Sequence, residues 1–528
     1  MQLVAYGAQD VYLTGNPQIT FWKVTYRRHT NFSMESIEQT FNGQADFGRR
    51  VNCTISRNGD LAYRTYLQVT LPEINQSLHS GDVYARWLDF PGHQLIEQVE
   101  VEIGGQRIDK HYGDWMHIWC QLTLDKNQQA GYNKMVGQTT QLTFMTDPKF
   151  ADIDGPCDSN APRQVCAPRN ALPETTLYIP LQFWFCTNPG LALPLIALQY
   201  HEVKINLDLR AIDECLWAVS DLNGTAATDV KVSAAYSQSL VSASLYVDYI
   251  YLDTDERRRM AQNPAEYLIE QLQFTGSESV GSSSNKIRLN FNHPCKELIW
   301  VVQPDCNVDY CAATQADSTL YKTLGAQPFN YTDALDALPN SVKAFATAES
   351  LEGSYGVISG GVFEQAAVPS VSGNVDWTNS SDDWAAGTTN AASITASGVS
   401  DAGAFVLTET SLDMHCWGEN PVVTAKLQLN GQDRFSEREG TYFDQVQPFQ
   451  HHTRSPDTGI NVYSFALRPE EQQPSGTCNF SRIDNATLQL VLSNATVSGS
   501  NTAKVRVYAR NYNVLRIMSG MGGLAYSN

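Results

Sequence analysis

The chain has 528 residues, which is enough for two or three domains that each bury a core. Its formal net charge is −20, so its surface is unsuited to neutralising nucleic-acid phosphates. With 35 Gly, 22 Pro and 10% aromatic residues, the composition is typical of a turn-rich β protein.

No segment of the sequence has the pattern of a secretion signal or of a membrane anchor. Residues 1–10 lack both a basic start and an apolar core, and no apolar run approaches the roughly 20 residues of a membrane-spanning helix. The eleven Cys are irregularly spaced and form no C-x-x-C, which favours reduced thiols over a zinc site. We therefore expect a soluble protein made in the cytosol.

Residues 1–30 are predicted to form an N-terminal arm. A turn signal at Asn16-Pro17 is followed by a basic cluster of Lys23, Arg27 and Arg28 in an otherwise acidic protein. The cluster has two interpretations, a solvated turn or a contact with an acidic partner. The sequence alone favours neither.

Alternation of apolar and polar residues prevails from Met34 onward. Residues 99–103 place three apolar side chains on one face and two carboxylates on the other, and residues 203–209 repeat this pattern. Such strands belong to antiparallel sheets with one dry face, so a sandwich or barrel is predicted. Short helices are predicted over residues 114–124 and 255–261.

The same β-rich pattern occurs twice along the chain. Five segments match in the same order, although the spacing between them changes. Chance can produce one such match, but five collinear matches indicate two tandem copies of one domain with different loop insertions. The pairs are residues 37–39 with 269–271, the strand ending at Pro72 with that ending at Pro304, 103–106 with 429–432, 203–207 with 486–490, and Val247 with Val507.

The main asymmetry between the copies is a long insertion at residues 306–416 in the second copy. The stretch 344–425 contains ten Asp or Glu and no Lys or Arg, which suits exposure to solvent, and Trp377 and Trp384 indicate some packing of its own. The predicted organisation is an arm (1–30), a first copy (31–254), a charged linker (255–265), a second copy (266–516) and a C-terminal tail (517–528).

A tandem β-barrel pattern also suits a two-domain cupin enzyme, whose metal site needs closely spaced His such as H-x-H. None of the ten His forms that pattern, and the adjacent His451 and His452 would point to opposite faces of a strand. The pair His201-Glu202 is assigned to an alternating strand, and Glu470-Glu471 to a turn between strands rather than to a glycosidase carboxylate pair. We find no catalytic, cofactor or metal motif.

Nine N-x-[ST] sequons occur, a number expected by chance in a sequence rich in Asn and Thr. The candidate acceptors are Asn379, Asn330 and Asn223, of which Asn379 in the acidic insertion is the most accessible. Without a secretion signal, we expect most of them to be unmodified.

Several unbroken stretches resemble the major capsid proteins of large nucleocytoplasmic DNA viruses. The longest and most specific is PSGTCNFSRID at residues 474–484. Because the stretches span residues 3–484, the resemblance covers nearly the whole chain. The others are LVAYGAQD at 3–10, NPQITF at 16–21, YRRHTNF at 26–32, ESIE at 35–38 and LDTDERRR at 252–259.

The resemblance implies an all-β fold of two tandem eight-stranded antiparallel jelly rolls, a double jelly roll, with long loop insertions. It implies a homotrimeric, pseudo-hexameric capsomer that packs with neighbouring capsomers into an icosahedral shell. The insertion at 306–416 would be an outward tower between the fourth and fifth strands. Lys23, Arg27 and Arg28 would lie at the inner base, near minor capsid proteins or the inner viral membrane, with no direct contact to nucleic acid.

The leading hypothesis is therefore a structural major capsid protein without catalysis, located in the virion shell and synthesised in the host cytoplasm. The alternative is a carbohydrate-binding or host-attachment β-protein, because Trp377 and Trp384 in an exposed insertion could form an aromatic platform for sugars. A bicupin-like enzyme ranks last because of the His spacing.

Overall fold

The computed structural model describes residues 4–78, 83–143, 172–220, 231–308, 326–333 and 418–527. Helix α7 (Thr254–Gln262) separates its strands into two sets, which we call the first half (residues 32–252) and the second half (residues 265–524). The first-half strands are β1 (Phe32–Gln39), β2 (Arg50–Thr54), β3 (Leu61–Leu71), β4 (Tyr84–Trp87), β5 (Ile96–Ile103), β6 (Gln106–Tyr112), β7 (Thr175–Pro180), β8 (Leu193–Pro194), β9 (Val203–Leu209), β10 (Leu216–Val219) and β11 (Ser242–Leu252).

The second half contributes longer first and last strands. Its strands are β12 (Ala265–Val280), β13 (Ser284–Leu289), β14 (Pro294–Pro304), β15 (Val422–Leu429), β16 (Gln432–Asp433), β17 (Arg438–Glu439), β18 (Ile460–Ser464), β19 (Cys478–Asn479), β20 (Ala486–Leu492), β21 (Ala503–Met518) and β22 (Met521–Leu524). The other α-helices are α1 (Val11–Thr14), α2 (Pro91–Leu95), α3 (Gly113–Thr123), α4 (Lys126–Val136), α5 (Thr140–Thr143), α6 (Trp184–Thr187), α8 (Gln447–His451) and α9 (Asn494–Val497).

Each half is a jelly roll of two facing sheets. In the first half, the sheets have the strand orders β1-β11-β3-β7 and β2-β9-β5-β6, and in the second half β12-β21-β14-β18 and β13-β20-β15-β16. The eight main strands of each half are lettered B to I in chain order. In the first half these are β1, β2, β3, β5, β6, β7, β9 and β11, and in the second half β12, β13, β14, β15, β16, β18, β20 and β21. Both halves then have the order B-I-D-G in one sheet and C-H-E-F in the other. All of these pairings are antiparallel, as the predicted fold class requires.

Alternating burial along the strands builds a separate core in each half. In β9 the odd-numbered residues are buried and the even-numbered ones are half-buried. The same alternation occurs in β20, where the even-numbered residues are the buried ones. Side chains of facing sheets meet between them, as with Val69 and Val101 in the first half and Trp300 and Leu488 in the second. This period of two is the pattern that predicted a sandwich.

The pairing register confirms two of the five repeat matches. Ile103 pairs with Val203 across β5 and β9, while their matches Leu429 and Ala486 pair across β15 and β20. The turns agree as well: Gly104-Gly105 and Asn430-Gly431 both have positive φ at both positions, as a type I′ hairpin requires.

The other three matches identify corresponding strands but are out of register with one another. Ile37 pairs with Val247, whereas Ile269 pairs with Asn513, six residues beyond the matched Val507. In the D strands, Val247 pairs with Thr65 and Val507 pairs with Trp300. Thr65 and Trp300 are 235 positions apart, whereas the sequence match of the two D strands, Pro72 with Pro304, has an offset of 232. Short alternating segments resemble one another after a small slip, so sequence similarity does not fix their register.

A glycine begins the helix after strand F in both halves. A Cβ on Gly113, the first residue of α3, would lie 2.2 Å from the carbonyl oxygen of Ile96, and a Cβ on Gly440 would lie 1.8 Å from that of Val422. Ile96 and Val422 are the first residues of the corresponding E strands. The segment 440–451, which is helical throughout and includes a π-helical turn and α8, is therefore the counterpart of α3.

The predicted helices are confirmed to within one residue, as α3 and α7. The predicted C-terminal tail includes the end of β21 and all of β22: β21 runs to Met518 and turns at Ser519-Gly520, both with positive φ, into β22. His201 and Glu202 precede β9 rather than lying inside a strand. The predicted tower follows β14 and precedes β15, so it lies between the third and fourth of the eight main strands of the second half rather than between the fourth and fifth. Most of it, with Trp377, Trp384 and Asn379, and also Asn223, lies outside the described residues.

The described cysteines are free thiols, in agreement with the expectation of reduced side chains. Burial raises the pKa of Cys53 to about 11 and is the main reason that the pKa of Cys186 is raised to about 12. Such thiols are not ionised near neutral pH and are poor nucleophiles. The seven are Cys53, Cys120, Cys186, Cys215, Cys295, Cys306 and Cys478.

Candidate assembly site between the two halves

Helix α3 of the first half lies on the outer face of the second half's B-I-D-G sheet. Trp115, Ile118 and Leu122 follow one another at helical spacing, and all three are buried. They pack in one apolar cluster with second-half residues from β14, β18 and β21. Full burial of such side chains stabilises by about 1.5–3 kcal/mol each, so this contact is a substantial part of the fold.

The face beneath α3 is an apolar rung across four strands. Strand pairing aligns Val462, Ile299, Tyr508 and Phe274 in the order G-D-I-B. The Tyr508 ring stacks on Phe274 at 4.8 Å between centroids and meets Trp115 at 5.4 Å. A sheet face of this composition belongs to a protein interior, although it is the outside of its own sandwich.

An acidic side chain at the start of α3 links the halves through charge. The Asp114 carboxylate lies 3.0 Å from Arg506 of β21 and 3.4 Å from Arg210 of the first half. Burial alone would lower the pKa of Arg506, but Asp114 outweighs this effect and raises it. The carboxylate also lies in the first turn of the helix, where negative charge is favoured.

Hydrogen bonds between side chains and the backbone add to the contact between the halves, at β12 and at the C-terminal hairpin. The amide of Leu272 donates to Asp109 Oδ1 at 3.1 Å, and the Gln271 side chain donates to the carbonyl of Ile108. His201 Nδ1 lies 2.9 Å from the carbonyl oxygen of Gly522 in the C-terminal hairpin. The first half therefore holds β12 and β22 as well as the sheet face.

A buried charged network occupies the polar end of the same sheet. His452 Nε2 lies 2.9 Å from Glu297 and its Nδ1 lies 2.9 Å from Glu470, while Arg510 donates to Glu297 at 2.8 Å. Arg510 also lies over the Trp119 ring of α3, 3.8 Å from its centroid. Lys296 and Glu270 form a further ion pair beside Arg510.

Pairing sets the charge states of this network. Burial would raise the pKa of Glu297, but His452 and Arg510 outweigh it and hold the pKa at about 2. Burial would lower the pKa of His452, but Glu297 and Glu470 raise it to about 9. Burial and Arg510 lower the pKa of Lys296 to about 8. The His452–Glu297 pair is therefore ionised at neutral pH.

A cleft of about 210 Å³ opens where the halves meet, lined by apolar and charged residues of both, including Trp119, Glu270, Glu470 and Arg510. Its charged side chains are engaged with one another: Asp109 pairs with His111 at 3.0 Å, and Glu470 with His452. Across the described parts of the chain, no group of three or more His, Cys, Asp or Glu could hold a metal ion. The geometry serves cohesion between the halves.

The structure does not bring the candidate inner-face residues and the candidate glycosylation residues together into one site. Lys23, Arg27 and Arg28 are exposed in an arm whose aromatic residues are exposed too, including Phe21 at 95% and Trp22 at 88%. Asn330 is half-buried, and its Nδ2 donates to Gln327 Oε1 at 2.7 Å. The candidate glycosylation and inner-face sites remain predictions. Within the described ranges, no helix is long and apolar enough to cross a membrane.

The buried network was not predicted from the sequence, although one signal points to it. Lys296-Glu297 interrupts an otherwise apolar strand, and charged residues are rarely buried unless paired. His452 follows α8 and is not in a strand, and its side chain is buried against Glu297. Glu470 does lie in a turn between β18 and β19, as predicted, but it also caps this network.

Comparison with known proteins gives the same picture along the whole chain. A family model described as large eukaryotic DNA virus major capsid protein matches residues 256–523, and one described as major capsid protein N-terminus matches residues 20–253. The major capsid protein of Phaeocystis pouchetii virus is 77% identical over 529 residues, covering 100% of this chain and 99% of that protein. The major capsid protein of Paramecium bursaria Chlorella virus 1 is 40% identical over 550 residues, with the same coverage.

Solved structures show the same similarity. A quasi-atomic model of the PBCV-1 virus capsid matches with a TM-score of 0.59 at 34% identity, covering 96% of this chain and 100% of that chain. The Faustovirus major capsid protein matches with a TM-score of 0.60 at 13% identity, covering 97% and 94%, and supports the fold alone.

Proposed function

Because the chain belongs to the major capsid protein family of large eukaryotic DNA viruses, we propose that it is the structural subunit of a virion shell, acting as a homotrimeric, pseudo-hexameric capsomer. The family is a structural one, and no catalytic role is assigned to this chain. Its location is the capsid shell, as for its relatives.

The observation that carries the trimer is the side-by-side packing of two jelly rolls in one chain. Each roll presents the same two-sheet outline, and α3 fixes them together through the buried cluster around Trp115 and Tyr508. Three such blocks around a three-fold axis give six similar rolls, which is the outline that packs hexagonally. A closed ring of this kind repeats one heterologous interface.

We also propose the domain division behind this outline. An arm (1–30) precedes a first jelly roll (31–254), and α7 lies in the linker (255–265). The second roll extends from 266 through the hairpin of β21 and β22, with the tower at 306–416 as its main insertion. The two family models meet between residues 253 and 256, which supports a boundary at this helix.

The arm is proposed to contact inner components of the particle, either minor capsid proteins or the inner membrane surface. It combines the basic residues Lys23, Arg27 and Arg28 with exposed aromatic side chains, while the chain as a whole is acidic. Aromatic and basic residues together suit a partner that has both apolar and negatively charged groups.

Native mass tests the proposal directly. Light scattering coupled to size exclusion at micromolar concentration is expected to give about three times the 58.5 kDa of the chain. A protein that keeps the mass of a single chain at micromolar concentration would contradict the homotrimer. The host-attachment alternative depends on Trp377 and Trp384, and a glycan array with a Trp377→Ala control would test it separately.

A further inference from the structure

The second-half helix 440–451 leaves two large apolar side chains, Val446 and Phe449, exposed in the described part of the chain. By count from the starting glycine, Phe443 corresponds to Met116, and each is buried in the core of its own half. The positions that follow diverge in burial. Phe449, which corresponds to Leu122, is 81% exposed, and Val446, which corresponds to Trp119, is 39% exposed.

The first half, in turn, has an open sheet face at the place where the second half is covered. Strand pairing aligns Pro180, Tyr66, Tyr246 and Glu38 in the order G-D-I-B, the same order as the rung beneath α3. Tyr66 stacks on Tyr246 with ring centroids 5.3 Å apart, and Tyr178, 40% exposed, lies 6.2 Å from Tyr66. We call Tyr66, Tyr178 and Tyr246 the tyrosine face.

We propose that helix 440–451 of one chain docks through Val446 and Phe449 on the tyrosine face of the next chain, as α3 docks on the second half within one chain. This inference rests on the proposed trimer and names its interface. The occupant is a second copy because the chain already contains the same helix-on-sheet contact once. The free helix and the free face are the two unused members of that repeated contact.

The chemistry of the two surfaces fits association between folded chains. An exposed phenylalanine on a helix is a typical anchor, since aromatic side chains bury a large area on docking. Tyrosine is suited to a face that is exposed before assembly and covered afterwards, because its ring packs while its hydroxyl can form a hydrogen bond. The rung beneath α3, which folding buries permanently, carries only Tyr508 with a hydroxyl.

Three variants test the docking, with native mass as the readout. Phe449→Asp and Val446→Asp place a carboxylate on the helix face and are expected to give a single-chain mass at concentrations where the unchanged protein is a trimer. Val423→Asp is the matched control, since Val423 is 48% exposed in β15 of the other sheet, and it is expected to stay trimeric. Circular dichroism and thermal unfolding check that each variant is folded.

A mixing experiment tests the head-to-tail geometry. Phe449→Asp removes the helix side of the interface, and Tyr178→Asp removes the face side. An equimolar mixture leaves one intact helix and one intact face, so two different chains can pair but cannot close a ring. The expected product is a dimer of about twice the chain mass, formed only in the mixture.

If Phe449→Asp does not fold, Phe449→Ala replaces it, with at least a tenfold rise in the concentration at which the trimer dissociates as the expected result. A monomeric unchanged protein would defeat the proposed capsomer itself. A trimer that survives both aspartate variants, or that Val423→Asp disrupts equally, would overturn the docking assignment and leave the capsomer in place.

Discussion

The outer sheet faces of the two halves have the same strand order but opposite surroundings. In the second half the rung of Val462, Ile299, Tyr508 and Phe274 lies under α3, and in the first half the rung with Tyr66 and Tyr246 is open. The covered face is apolar and the open face is tyrosine-rich. The difference supports the proposal that one repeated fold encodes a permanent contact and a contact for assembly through its side chains alone.

The covered face should be the least tolerant of charge. Ile118→Asp would leave an unpaired carboxylate in the cluster with Tyr508 and Ile299, because Ile118 is fully buried there. We expect a loss of about 3–5 kcal/mol in the free energy of unfolding, measured by denaturant titration. Ile118→Leu, which keeps the volume and polarity, should cost less than about 1.5 kcal/mol. Similar losses for both variants would mean that the face is not a sealed interior.

The starting glycines should show that the two helices are held alike at their first residue. Gly113→Ala and Gly440→Ala each drive a methyl group into a backbone carbonyl, at 2.2 and 1.8 Å, and should each cost about 1–3 kcal/mol. In Gly131→Ala, within α4, no atom lies within 4 Å of the new methyl group. That control should stabilise by about 0.5–1 kcal/mol. A neutral Gly440→Ala would break the correspondence between the helices.

The buried network should make stability depend on pH through the second half. The folded pKa of His452 is about 9, above its ordinary 6.5, because Glu297 and Glu470 outweigh the effect of burial. Its stabilisation is therefore complete below pH 6.5 and is lost as the pH rises through 9. Lys296, with its pKa lowered to about 8, acts in the opposite direction above pH 8. The net decline between pH 6.5 and 8 should be about 1–2 kcal/mol.

Thermal unfolding as a function of pH measures this decline. His452→Gln should flatten the slope between pH 6.5 and 8 even though it lowers stability overall, since it removes the titrating group. His451→Gln is the matched control, because the hydrogen bond of its ring goes to the Leu467 carbonyl oxygen, at 3.1 Å, and not to the network, so the slope should persist. An unchanged slope in His452→Gln would assign the pH dependence to other groups.

Most of the fold could be predicted from local patterns in the sequence. Alternation over 203–209 and 486–490, the two-residue turns at 104–105 and 430–431, and the charged helix before residue 263 are decided by nearby residues, so they were predictable. The register of the corresponding strands β1 and β12 on their partners β11 and β21 was not predictable, because a slip of six residues leaves the same alternation. The docking of Trp115 on Tyr508 joins residues 393 positions apart, and no local pattern specifies it.

The candidate site was predictable only in fragments. Lys296-Glu297 signals a buried charge, but its ion-pair partners Glu270, His452 and Arg510 come from three other segments. Long-range pairing of this kind depends on which face of a strand meets which helix. Small errors of register, such as those in three of the five repeat matches, are enough to hide it.

Helix α7 has a kinetic consequence. Because it tethers the two halves, the contact of α3 with the second half forms within one molecule, at a local concentration fixed by the tether and independent of how much protein is present. A contact between chains has no such tether, and its rate falls with dilution. Folding can therefore finish in each newly made chain before the proposed ring closes, which waits until enough copies have accumulated.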